Sequence, residues 1–371
     1  MEEGHEKSFF SVTPSLGTIG GGEIYLKKFI KFLCSKSEID KITIAYPNTQ
    51  ILKDFWADIG CTKVEFINYH FDTLTVDKNF LNLNFYRLLK TERQIVERKV
   101  KKENYDLIFA HAPTDVLILK SFSERTNVIF YSNIPSYASI WPFKLAIKKY
   151  LGKLNNVICV SEFLRNKIKS ILPSKKNIYM IHNGVEDINL KSDPPFSVKN
   201  IGVVARFEKE KNVILAIKVF RILVKNYGYL SLHLFGDGSK KKAMEDFVIR
   251  NEIKNVYFHG FVKNADEIYS KIDLLLVPSK MEALSLVIIE AMSRNIPVVA
   301  SNVGGIPEII KDGYNGLLAE PNVSSFVTKI TKIIENPQLI SAFAKNYDQT
   351  LAQFDIGKKF EDLYKILFYQ T

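Results

Sequence analysis

From Lys199 onward the chain alternates two hydrophobic periodicities, and that alternation leaves few folds open to it. NIGVVA, SLHLFG, NVYFHG, DLLLV and PVVAS are short β-branched or apolar runs of strand length. Between them, Val213 to Val224, Lys240 to Arg250, Ala265 to Ser270 and Leu286 to Ser293 carry apolar residues three and four apart, as amphipathic helices do. Strand and helix repeated in this way are the pattern of a parallel sheet made of βαβ units, so this half reads as doubly wound α/β. The first half is less regular. SFFSVTP, KITIAYP, DLIFAHA, NVIFYS and NVICVS are nonetheless again short apolar runs separated by helical stretches, which implies a second α/β layer structure. The polar stretch VEDINLKSDPPFSVKN, with two adjacent prolines that cannot continue a helix, reads as a hinge. It divides the chain into domains of about 1–190 and 199–355, followed by a segment of helical spacing at about 356–371.

A length of 371 residues suits two such domains better than one core. The hydrophobic content of 46%, with 12% aromatic residues, excludes wholesale disorder. A net charge of +11 favours anionic partners, which include nucleic acid, acidic lipid headgroups and phosphorylated small molecules. No window approaches the ~18 apolar residues needed to span a bilayer. The start MEEGHEKSFF is charged where a signal peptide would be apolar, so the expectation is a cytoplasmic protein. Cys34, Cys61 and Cys159 are odd in number and lack the spacing of a zinc site or a disulfide framework, which points to unpaired thiols in a reducing cytosol.

Glu282 and Glu290 stand out in SKMEALSLVIIEAMSRNIPVVASNVGG, the first in a loop after a strand and the second on the following helix. A helix beginning near Ser285 would present backbone N–H groups of Leu284, Ser285 and Leu286 and a positive dipole end to a diphosphate. Glu282 would then face a sugar while Glu290 accepts hydrogen bonds from ribose hydroxyls. Taken bare, two such acids are more often ordinary helix-surface residues. Arg206 and Lys211, in GVVARFEKEKN just past a strand, can neutralise a departing diphosphate, although an isolated KEK stretch is more often a solvated basic turn.

Gly17, Gly20, Gly21 and Gly22, with Glu23 behind them, lie between the first strand and first helix, where glycine lets backbone approach a ligand closely. Their spacing is not that of a dinucleotide fingerprint. His111 ends a strand of the first domain in IFAHAPTD. Gly236 and Gly238 in LFGDGS, and Phe261 with Val262 in HGFV, sit where backbone can approach a nucleotide or can simply serve a turn.

The frame Pro278, Ser279, Glu282, Glu290, Ala291, Met292, Pro297, Val298, Gly304 and Gly305 resembles the signature of the retaining family-four glycosyltransferases, in family order. The resemblance runs from the glycine loop near residue 17 to the end of the chain and is densest between residues 201 and 321. It implies the GT-B architecture: two Rossmann-like α/β domains facing a central cleft, with the helix at 356–371 crossing back to the first domain. It also implies a nucleoside-diphosphate sugar as co-substrate, Arg206 and Lys211 on the diphosphate, and Glu282 and His111 at the transferred sugar. Glu290, Gly21, Gly22, Gly236, Val262, Leu284, Ser285 and Leu286 would bind the donor. The family usually has Gly before the Arg and after the Lys, where this chain has Ala205 and Asn212. Asn133 stands where many members carry a further His.

No Asp-x-Asp motif with apolar flanks follows a strand of the first domain, and no cluster of acids and histidines has ligand spacing, so neither metal nor cofactor is implied. The segment WPFKLAIKKYLGKL, residues 141–154, carries an apolar face opposite four lysines. It suits an acidic membrane surface at the inner face of the cell membrane, or a helix that buries the same face in a core. The acceptor implied is a glycan or a lipid-linked molecule. Two rival readings remain. A non-catalytic sugar-nucleotide-binding module would use the same site, whereas a nucleic-acid-binding protein would use the charge but lacks interleaved aromatics or a compact recognition motif.

Overall fold

The structure is a computed structural model that describes residues 7–12, 21–69, 94, 96–103, 105–110, 128–132, 154, 156–175, 177–186, 188, 190 and 192–369. The chain divides into two compact units, Met1–His182 with Lys359–Thr371, and Asn183–Lys358. Each is built on a wholly parallel sheet.

Among the described residues the first unit has seven strands: β1 Lys7–Val12, β2 Ile39–Pro47, β3 Val64–Tyr69, β4 Leu107–Ala110, β5 Val128–Ser132, β6 Asn156–Cys159 and β7 Ile178–Met180. Their order across the sheet is β3-β2-β1-β4-β5-β6-β7. The second unit has six: β8 Asn200–Val204, β9 Ser231–Phe235, β10 Val256–Gly260, β11 Leu274–Val277, β12 Val298–Ser301 and β13 Leu317–Ala319, in the order β10-β9-β8-β11-β12-β13. In both sheets the first strand lies inside, two strands are laid down on one side of it, and the chain then crosses over to fill the other side. That is the Rossmann order. Central strands of such sheets are covered on both faces, which is why β11 and β12 are buried along their whole length. The helix Val213–Asn226 buries seven of its side chains, among them Leu215, Val219, Phe220 and Leu223.

The helix Gly21–Cys34 of the first unit receives its cover from residues far along the chain. It buries Tyr25, Phe29 and Leu33, and the Phe360 ring of the C-terminal helix Ile356–Tyr369 stands 5.1 Å from Tyr25, 5.3 Å from Phe29 and 5.4 Å from Phe32. Burying a ring of this size contributes roughly 2–3 kcal/mol. The docking is polar at its rim, where Tyr364 donates to Glu38 Oε1 at 2.8 Å and Lys36 pairs with Glu361 at 2.5 Å. The proline stretch lies within the second unit. Val185 bridges to Asp355, and Ser192 donates to the Arg294 carbonyl at 2.5 Å, so the division between units falls before it, at His182 and Asn183.

The cysteines correct the sequence expectation. Cys34 and Cys61 form a disulfide across a Cα–Cα distance of 6.3 Å, and only Cys159 is free. Their separation of 27 residues carried no signal, because the pair is made by the path of the chain. The loop before β3 returns to the end of the helix that precedes β2. The inference of a reducing compartment from unpaired thiols therefore does not follow. Among the described residues no helix is long and apolar enough to cross a membrane. Of the basic segment 141–154 only Leu154 lies within the described residues, and Gly17, Gly20, His111 and Asn133 lie outside them.

Candidate functional site

In the second unit β8 and β11 are neighbours, with Ile201 opposite Leu274 and Gly202 opposite Leu275, although some seventy residues separate them in sequence. Here the strand order reverses, and the carboxyl ends of strands at such a point are the usual ligand position in open α/β sheets. The loop after β8 carries Arg206 and Lys211, and the loop after β11 carries Glu282.

Lys211 Nζ stands 2.7 Å from Glu282 Oε1, and the Ser279 hydroxyl donates to the same oxygen at 2.9 Å. The Glu282 side chain is only 8% exposed and that of Lys211 23%, so the pair is largely withdrawn from water. Two hydrogen bonds join the loops: backbone Lys280 N donates to the Glu210 carbonyl at 2.8 Å, and the Asn212 side-chain Nδ2 to the Pro278 carbonyl at 3.1 Å. Asn212 stands at φ 53°, ψ 35°, in the left-handed region, and caps the helix Val213–Asn226. Asparagine tolerates that region better than most residues, so it serves where the family resemblance implies glycine, and it adds the bond to Pro278. Arg206 is more exposed, with its guanidinium 3.9 Å from Glu210.

Glu282 is also fixed through its backbone. Its carbonyl accepts from Gly305 N at 3.1 Å, and Gly304, at φ 60°, packs against it so closely that a Cβ would lie 1.9 Å from the oxygen. Gly236 has a comparable task in the Arg206 loop. A Cβ on it would stand 1.9 Å from the Ala205 carbonyl, and its N–H donates to Gly260 at 2.7 Å. Loop packing alone therefore accounts for glycine at 236. Val262 follows the end of β10 beside Phe261, whose side chain is largely exposed.

The helix that carries Glu290 runs Leu286–Met292, with Ser285 at its N-cap and making no side-chain capping bond. Leu284 and Ser285 are buried and Leu286 is half-buried. Glu290 has a partner that sequence reasoning missed: the Tyr269 hydroxyl donates to Oε2 at 2.8 Å. Burial and the neighbouring Glu290 charge hold the Tyr269 phenol well above its ordinary range. Ser279 was visible in the motif frame, whereas Tyr269 lies 21 residues from Glu290 and becomes its neighbour only through folding.

Thus Lys211 and Glu282 meet, Arg206 stands on the same loop as Lys211, and Glu290 is held separately on its helix. Gly21 and Gly22 open the first helix of the other unit. Among the described residues no group of three or more His, Cys, Asp or Glu side chains could hold a metal ion. A buried carboxylate beside a cation, at a topological switch point, can hold a phosphate with the cation and hydroxyls with the acid.

Known proteins resemble the chain in sequence and in fold. An uncharacterised glycosyltransferase of Methanocaldococcus jannaschii is 34% identical over 209 residues, 55% of this chain and 56% of that protein. The poly(ribitol-phosphate) alpha-N-acetylglucosaminyltransferase of Staphylococcus aureus is 27% identical over 241 residues, 62% of this chain and 48% of that one. The chain thus spans about half the length of these two relatives. Anabaena HepE, solved in complex with UDP and glucose, superimposes with a TM-score of 0.79 over 97% of this chain and 99% of its own, at 19% identity, a likeness of fold. Residues 19–187 match the family described as Glycosyltransferase Family 4 and residues 187–350 that described as Glycosyl transferases group 1. Two parallel sheets in Rossmann order, joined in one chain that these two descriptions cover almost end to end, place the protein among the group 1, family 4 glycosyltransferases of the GT-B fold.

Proposed function

We propose that the chain transfers a glycosyl unit from a nucleoside-diphosphate sugar to an acceptor hydroxyl with retention of anomeric configuration, in glycan, glycolipid or polysaccharide synthesis. The observation that carries this reading is the Lys211–Glu282 pair at 2.7 Å, which joins the loops that follow the neighbouring strands β8 and β11. Without ligand the two side chains satisfy each other. A diphosphate draws Lys211 and Arg206 to itself and leaves Glu282 to accept hydrogen bonds from the donor sugar. As the bond between the anomeric carbon and the phosphate oxygen breaks, charge gathers on the diphosphate, where the two cations stabilise it. The acceptor oxygen bonds to the anomeric carbon on the same face, and its proton passes to the departing phosphate oxygen. With both cations supplied by the chain, departure needs no metal ion. Glu290 holds the ribose, while Val262 and the backbone at Leu284, Ser285 and Leu286 border the donor; Gly21, Gly22 and His111 take the donor and acceptor roles that the family resemblance implies.

HepE in complex with UDP and glucose supports a nucleotide-sugar donor, and the name of the Staphylococcus aureus relative supports a polymeric acceptor. The charge of +11 suits an anionic glycan or a lipid-linked acceptor at a membrane surface.

The test is release of nucleoside diphosphate from a panel of nucleotide sugars with glycan and lipid-linked acceptors, and the anomeric configuration of the product read by NMR. Arg206→Ala or Lys211→Ala lowers turnover about a hundredfold, the scale of losing one electrostatic stabiliser. EDTA leaves turnover intact. Donor binding without release under any condition identifies a non-catalytic module instead, and loss in EDTA with rescue by Mg²⁺ or Mn²⁺ removes the metal-free mechanism.

A further inference from the structure

Tyr269 closes the short helix Ala265–Tyr269 and is 4% exposed. Its hydroxyl lies 2.8 Å from Glu290 Oε2 and 3.2 Å from the Val287 carbonyl. A phenol has one proton to give, and the charged acceptor at the shorter distance takes it. The ring is itself held: the Arg294 guanidinium carbon sits 5.0 Å from its centroid, and the same guanidinium donates to the Glu290 carbonyl at 3.1 Å and to Asp266 at 2.7 and 3.1 Å. Side chain and backbone of Glu290 are thus both fixed from one cluster. A carboxylate has about four acceptor positions, and Tyr269 fills one on Oε2.

We propose that Tyr269 is a positioning residue for donor selection: it holds Glu290 so that Oε1 faces the ribose, and thereby makes the 2′- and 3′-hydroxyls the condition for tight binding. The inference rests on the placement of Glu290 against ribose given above. A glutamate fixed before the ligand arrives loses no rotamer freedom on binding, whereas a loose one must be ordered by the ligand itself. The phenol touches no ligand atom in this arrangement, yet its loss removes the advantage of the ribose hydroxyls over a deoxyribose. Burial raises the phenol's proton affinity, so it remains a donor at neutral pH.

Isothermal titration with UDP, ADP, GDP and CDP identifies the base. The 2′-deoxy and 3′-deoxy forms of the tightest binder are then compared on the whole chain, wild type and Tyr269→Phe. Wild type prefers the ribose form by about tenfold or more, the scale of one hydrogen bond to a charged group. Tyr269→Phe keeps the ring in place, and its preference falls below about threefold with affinity for the deoxy forms unchanged within about twofold. In Glu290→Gln the preference falls as well, and adding Tyr269→Phe to it changes nothing further. A merely structural tyrosine weakens ribose and deoxy forms alike and leaves the ratio standing, which overturns the proposal. A wild type that binds nucleoside diphosphates without preferring ribose removes Glu290 from the ribose and the proposal with it. Binding of none of the four overturns the donor reading itself.

Discussion

Gly304→Ala tests whether the close packing of Gly304 against the Glu282 carbonyl is what holds Glu282 in place. Alanine at φ 60° pays the left-handed penalty of about 1 kcal/mol. Its Cβ would also sit 1.9 Å from the Glu282 carbonyl oxygen, and real Cβ contacts end near 3.0 Å, so one backbone must retreat by about 1.1 Å. Forcing atoms into packed space costs a further ~1–3 kcal/mol. Gly313 is the internal control, because it has φ 80° with nothing within 4 Å of a Cβ, so Gly313→Ala pays for its dihedral alone. In a unit of this size each kcal/mol moves Tm by about 2–4 °C. Gly313→Ala should therefore lower Tm by about 2–4 °C, and Gly304→Ala, at about 2–4 kcal/mol in total, by roughly 4–16 °C. A catalytic group displaced by ~1 Å loses about a hundredfold in rate, so Gly304→Ala also cuts nucleoside diphosphate release by that factor while Gly313→Ala keeps it. Thermal melts by circular dichroism and steady-state release measure both. Equal Tm losses in the two variants, with turnover intact in Gly304→Ala, would refute the claim that this glycine positions Glu282.

Lys211→Met strands Glu282 with Ser279 as its remaining donor and should cost about 2 kcal/mol in urea unfolding, below the ~3–5 of a fully buried pair because Lys211 is partly exposed. Adding Glu282→Gln should recover part of the loss, and strict additivity would deny the coupling. In steady-state kinetics Glu282→Gln lowers turnover more than it raises the Michaelis constant and Glu290→Gln does the reverse; the opposite pattern exchanges their roles. Protein purified without reductant shows no reactive thiol with Ellman's reagent while folded, since burial pushes the Cys159 thiol up to about 12, and one per chain in guanidinium. Three thiols before reduction would exclude the disulfide. Burial, and for His233 the adjacent His259, hold both imidazoles below the ordinary 6.5, with Nδ1 and Nε2 3.0 Å apart. The unfolded chain then binds more protons below that pH, so Tm is full above about 6.5 and falls as pH drops through it. His259→Gln flattens the slope, and an unchanged slope assigns it to other groups.

The strands legible in the sequence were those that fall on short apolar or β-branched runs. β8 to β12 and β1, β2, β4, β5 and β6 all fall on runs visible by eye. β7 and β13 have three residues each, too few for a pattern, and β3 lies at the sheet edge with Glu65 and Phe66 exposed. The site divides in the same way. Lys211 and Glu282 were legible as residue types in loops, but their contact across 71 residues exists only because β8 and β11 are neighbours. Tyr269 reads as one more apolar position on a short helix until its hydroxyl is seen to reach Glu290. The disulfide was hidden for the same reason, since a spacing of 27 residues has no local geometry to betray it.

The docking of Phe360 and Tyr364 on the first helix has a consequence for biogenesis. Residues 183–358 form one uninterrupted stretch and can close their core as soon as they have left the ribosome. The first unit is made earlier but must wait, because residues 359–371 belong to it and are translated after the whole of the second. Until then the nascent chain lacks the ring that covers Tyr25, Phe29 and Phe32. A chain stalled at residue 358 would carry that apolar surface permanently, a ready target for chaperones and proteases. The helix Ile356–Tyr369 thus couples the folding of the first unit to the synthesis of residues 359–371.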